Sequence, residues 1–98
     1  MTIVSIIKSP RKGKSYRVTL KDDRHFDFGL IDGSTYIDHN DITKRKNYRA
    51  RHIGNEKERT LINNNTPSPA LFSYYLLWGE STNLNKNIQL LNRSLRTV

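Results

Sequence analysis

At 98 residues with no cysteine, the chain has room for one domain and can be stapled neither by disulfides nor by a thiolate zinc site. Its formal net charge of +8, from 17 basic and 9 acidic residues, predicts attraction to polyanions or acidic protein faces. The longest near-continuous apolar run, residues 70–78, is too short for a membrane span of about 20 residues, and the apolar residues 1–7 follow no positive region of the kind a secretory signal carries.

Residues 2–7 are rich in β-branched side chains and predict a strand, followed by a Pro/Gly turn at residues 9–13. Tyr16, Val18 and Leu20 then alternate with Arg17, Thr19 and Lys21, the period of a half-buried strand with a cationic outer face. A polar turn at residues 21–24 leads to a third alternation that puts Phe26 and Phe28 on one face. Residues 1–29 therefore predict an antiparallel β-meander of two or three strands, which needs helices on its apolar face.

Residues 30–41 read as an acidic loop, in which Asn40 or Asp38 can cap a helix over residues 42–53 that Gly54 ends. At 100° per residue that helix clusters Lys44, Tyr48 and Arg51, with His52 at the edge, opposite Ile42, Arg49 and Ile53. Residues 55–68 are polar and read as a linker. Ser68 and Pro69 suit the cap and first residue of a short, all-round apolar helix closed by Gly79; a buried strand is the alternative. Ser81 or Thr82 caps a last helix with Leu84, Ile88, Leu91 and Leu95 on one stripe, and Arg93 and Arg96 near its end suit the helix dipole. The expectation is one α+β domain over residues 1–98: the meander, then three short helices at 42–53 and within 68–96.

Charge is unevenly placed. Residues 1–24 carry net +5, residues 25–43 net −4, residues 44–59 net +5 and residues 60–98 net +2. The densest segment runs from Lys44 to His52, with five fixed positive charges at Lys44, Arg45, Lys46, Arg49 and Arg51. Long cationic side chains reach phosphates or carboxylates, and arginine binds them bidentately. These five are the candidate contacts to nucleic acid or to a protein partner. The competing reading turns Tyr48 and His52 inward and pairs Arg45 or Arg51 with Asp38 or Asp41. On that reading Lys44, Lys46 and Arg49 face outward, while Tyr48, Arg51 and His52 are structural; His39, Asp41 and Trp78 are further structural candidates. Tyr74, Tyr75 and Trp78 can stack on bases, but their spacing in an apolar run suits a core better.

Enzyme signatures are missing from the sequence: no phosphate-binding Gly-rich loop, no dinucleotide fingerprint, no HExxH pair and no serine in a nucleophile elbow. Asp38-His39 resembles the opening of an HNH nuclease motif, but His52 follows too closely, and His39 with Asp41 more simply starts a helix. No cofactor and no metal are expected.

The order Phe28-Gly29, Tyr36, Asp38-His39-Asn40-Asp41, Lys44-Arg45, Tyr48, Arg51-His52 and Leu76-Leu77-Trp78 resembles a small uncharacterised family encoded by large nucleocytoplasmic DNA viruses. The resemblance spans roughly residues 16–95. It departs between the RH and LW elements, where that family tends to have a Trp and a small-residue turn and this chain has residues 63–69. It implies a viral protein of the virion or of the cytoplasmic viral factory, not a secreted one. The leading expectation is a non-enzymatic minor capsid protein contacting acidic faces of viral structural proteins. A nucleic-acid-binding protein is the alternative, and an HNH-like nuclease using His39 and Asp41 the third.

Overall fold

The structure, a computed structural model, describes residues 2–30 and 33–96, with side chains through Ser94; Leu95 and the side chain of Arg96, both assigned roles in the last helix, lie outside the described side chains. Strands β1 (Ile3–Lys8), β2 (Lys14–Leu20) and β3 (His25–Leu30) form an antiparallel meander in the order β1-β2-β3. The fold is α+β, as expected. Among the described residues five helices follow where three were expected, the first of them inside the segment read as an acidic loop: α1 (Tyr36–His39), α2 (Ile42–Gly54), α3 (Glu56–Asn63), α4 (Pro69–Phe72), which runs on as a π-helical turn over Ser73–Leu77, and α5 (Leu84–Arg96).

The alternation in β2 does what its period requires. Val18 and Leu20 are buried, and Phe28 and Phe26 lie opposite Tyr16 and Val18 across β3. Phe72 of α4 sits on this face, with ring centroids 5.4 Å from Phe26 and 6.0 Å from Phe28. One core joins Ile3, Val18, Leu20 and Phe28 of the sheet to Leu71, Phe72, Leu76, Leu77, Trp78 and Leu91 of the helices. Gly29 is needed where the sheet meets the π turn. Its φ is +81°, and a Cβ there would come within 3.1 Å of Leu77 Cδ1.

The outer face of the sheet is less cationic than the sequence suggests. Arg17 lies directly across from Asp27 and binds both its carboxylate oxygens, at 2.9 and 3.1 Å, while Ser9 donates to the same carboxylate at 2.6 Å. Edge strand β1 is closed at one point by a side chain: Asn92 of α5 accepts from Ile3 N–H at 2.8 Å and donates to Ile3 C=O at 3.1 Å, as a neighbouring strand would.

Two helix boundaries differ from expectation. The polar residues 55–68 are not a linker throughout, since residues 56–63 form α3. Asn55 caps it by accepting from Glu58 N–H at 3.1 Å, and Ile62 buries its one core contact. The cap of α5 is Asn83, which accepts from Lys86 N–H at 3.0 Å; Ser81 instead supports Asn83 itself. Ser68 and Pro69 begin α4 as expected, with Ser68 Oγ accepting from Leu71 N–H at 3.2 Å.

Asn87, 1% exposed, ties α5 to the chain before it. Its amide donates to Leu76 C=O at 2.9 Å and Ser81 C=O at 2.7 Å and accepts from Ser81 N–H at 3.0 Å. Asn87→Ala leaves these groups without partners and is expected to cost about 2–4 kcal/mol in denaturant unfolding. The Asp27 carboxyl is held down to about 2 by its bonds from Arg17 and then Ser9. A carboxyl depressed in the folded state stabilises above its unfolded value, and that contribution disappears as pH falls through the folded one. Stability should therefore drop between about pH 4 and pH 2, and Asp27→Asn should flatten that part of a stability-versus-pH curve.

Candidate interaction site around the basic helix

Helix α2 starts where Asp41 caps it. The carboxylate accepts from Thr43 and Lys44 N–H at 3.0 and 3.1 Å, and these two bonds, Lys44 first, hold its pKa below the usual range. Asp38 instead serves α1, accepting from Thr35 N–H and Oγ1 at 2.9 Å each. Asn40, in the left-handed region at φ +58°, closes α1. Neither Asp38 nor Asp41 forms an ion pair with Arg45 or Arg51 among the described residues, contrary to one expectation.

The inner stripe of α2 is Arg45, Tyr48, Arg49 and His52, all half-buried and spaced i, i+3, i+4, i+7. Each finds a partner. Trp78 stacks on Tyr48 with centroids 4.2 Å apart and planes 6° from parallel. His52 packs on Tyr48 at 4.1 Å, and His39 of α1 on Trp78 at 5.3 Å, so four rings form a column. The His52 Nδ1 edge meets the Glu58 carboxylate of α3. Tyr48 OH pairs with Ser73 Oγ at 2.8 Å, and burial pushes the phenol pKa up.

The two arginines of the stripe close the π turn. Trp78 N–H bonds Ser73 C=O, five residues back, and the chain then leaves the helix with free carbonyls. Arg49 donates to Trp78 C=O and Arg45 to Gly79 C=O, both at 2.7 Å. Cations at the carbonyl end of a helix also meet its negative dipole end. The Arg49 guanidinium lies 4.0 Å from the Tyr74 ring centroid. Gly79 has no room for a side chain, since a Cβ would fall 2.1 Å from Tyr75 C=O.

Arg49 is thus not an outward contact residue, and Arg45 is half-buried in a similar role. Among the five candidate cations, Lys44, Lys46 and Arg51 are exposed, Arg51 at 5.7 Å from the Tyr48 ring. Tyr48, His52 and Trp78 lie in the column of rings between α2 and the π turn. Glu58 and Ser73 are partners that the sequence reading passed over, and Tyr74 and Gly79 meet the arginines in roles it did not assign them. Asn55 followed three residues later by Glu58 was a usable signal for α3, because it is a helix-start signature.

His39 and Asp41 both take part in the start of α2. His39 Nδ1 accepts from Asp41 N–H at 2.9 Å, which uses its lone pair, and the Asp41 carboxylate is occupied by the helix start. His39 Nε2 is buried without a partner beside Trp78. No group of three His, Asp or Glu side chains among the described residues is placed to hold a metal. No helix among them is long and apolar enough to cross a membrane.

Arg49→Ala removes the bond to Trp78 C=O and the contact with Tyr74 and is expected to cost about 2–3 kcal/mol of stability, whereas Lys46→Ala should stay within about 0.5 kcal/mol. Thermal or urea unfolding of the pair checks this. Equal effects would remove Arg49 from the structural role.

No curated protein and no solved structure matches the chain. Residues 4–52, which run from β1 through His52, match a family of unknown function (DUF5754), and the chain belongs to that family.

Proposed function

We propose that the protein is a non-enzymatic binding protein that fastens neighbouring subunits together through their acidic surfaces. Its resemblance to proteins of large DNA viruses makes a minor capsid component the proposed setting. The observation that carries this reading is the partition of charge. Five of the nine acidic side chains are engaged within the fold: Asp22 with Arg24, Asp27 with Arg17, Asp38 and Asp41 at helix starts, and Glu58 with His52. Lysines and arginines, by contrast, project to solvent on several elements, including Lys8, Lys12, Lys44, Lys46, Lys57 and Arg59. The outward field is therefore more positive than the internal pairing pattern, and it steers acidic partners.

Two further features favour protein over nucleic acid. Trp78 and Tyr48 already stack on each other and are flanked by His39 and His52, which leaves them less open to an unstacked base. The outer part of β1 exposes Val4 and Ile7, at 59% and 52%, and aliphatic contact suits a protein surface. Nucleic-acid binding remains the second reading because Lys44, Lys46 and Arg51 are exposed on a single helix.

The two readings separate by titrating the protein with polyglutamate and with duplex DNA across salt. Polyglutamate should bind, weaken with salt, and bind about tenfold more weakly to the Lys44→Glu/Lys46→Glu variant. Tighter binding to DNA, with a log–log salt slope near about −3 for three phosphate contacts, would instead establish the second reading. Absence of the protein from purified particles would reject the capsid setting.

A further inference from the structure

A groove of about 410 Å³ opens between the strand ends at Lys14 and Leu30 and the C-terminal half of α2. That volume is within the range of small-ligand pockets. Its apolar lining, the floor of the groove, includes Phe28, Leu77, Trp78 and Tyr48. Lys14 stands on one wall, and Arg51 and His52 on the other. Lys14 also lines an adjoining depression with Lys8, so cations continue beyond the groove. Glu58 is the acidic side chain among the groove's described residues, and its carboxylate is turned onto the His52 ring. The groove therefore joins an apolar floor to positive walls.

We infer that this groove receives an extended acidic segment of the partner protein, with an aliphatic side chain on the floor and flanking carboxylates against Lys14 and Arg51. The inference rests on the proposed binding to acidic partner surfaces and names where and how one is gripped. Charge complementarity selects this occupant. A nucleobase would need a free aromatic face, and Tyr48 and Trp78 are already stacked on each other, with His52 against Tyr48. A second copy of the chain is a poor source of the segment, because its carboxylates are largely held by its own arginines, histidine and helix starts.

Trp78 is the sole tryptophan of the chain, so its emission reports on the groove floor. The probe is a blocked hexapeptide of alternating glutamate and leucine, with the same peptide carrying lysine in place of glutamate as control. The acidic peptide should change Trp78 emission saturably and the basic peptide should not. Lys14→Glu and Arg51→Glu should each weaken binding about tenfold, since each replaces an attraction with a repulsion. Arg51 also contacts Tyr48, so Leu30→Glu provides a second variant at a groove residue that is 70% exposed and whose strand bonds come from its backbone. It too should weaken binding. If all three variants bind the peptide like the parent while Lys44→Glu/Lys46→Glu does not, the groove assignment is overturned and the proposed function stands. If the parent ignores the acidic peptide and polyglutamate at low salt, both fall. Saturable binding of a single-stranded oligonucleotide that the same groove variants abolish would also overturn the peptide assignment.

Discussion

The stack of Trp78 on Tyr48 is the contact on which the arrangement of the helices depends. Helix α2 contains no fully buried residue, and Ile42, its first residue, is exposed. It cannot be held in place by aliphatic burial. The parallel rings instead supply a large apolar contact, and the arginines on either side bind carbonyls that the π turn leaves open. The π turn is part of the same device. By bonding Trp78 N–H to a carbonyl five residues back, it ends the apolar run with the indole directed at α2 and the carbonyls of Trp78 and Gly79 directed at arginine.

This use of arginine changes what the basic segment means. Five positive charges in nine residues suggest a single cationic contact surface, but two of them serve the interior, where a guanidinium can satisfy a carbonyl and lie on a tyrosine at once. The lysines cannot substitute in that role, because an ammonium is more strongly hydrated and has no planar face. The segment is therefore divided by residue type as well as by position. Arg45 and Arg49 build the fold, and Lys44 and Lys46 face solvent.

Much of the fold was legible because its signals are aliphatic. Period two marked β2 and β3, and the Leu84, Ile88 and Leu91 stripe marked α5. The start of α2 was legible to within a residue from the short polar side chains before it. Helix α3 was not, because its apolar residues Leu61 and Ile62 come only in its last turn. The inner face of α2 was hidden for a related reason. A stripe of Arg, Tyr, Arg and His has helical spacing but scores as polar, so hydrophobic periodicity assigned Arg49 to the outside. The groove was not legible at all, since Lys14, Arg51 and Trp78 come together only through the tertiary packing of the sheet on α4 and the π turn and of α2 on Trp78.

The matched family segment ends at His52, yet the partners of the α2 stripe lie beyond it: Glu58 for His52, Ser73 and Trp78 for Tyr48, and the carbonyls of Trp78 and Gly79 for the arginines. The sheet has the same dependence, since Phe72 and Leu77 cover Phe28 and Gly29. Residues 4–52 taken alone would expose both the apolar sheet face and a stripe of unpaired arginines. The second half of the chain is thus the other side of one core. Any member of the family sharing Arg45, Tyr48, Arg49 and His52 needs a helix end with open carbonyls and an aromatic ring to meet them, whatever sequence supplies these.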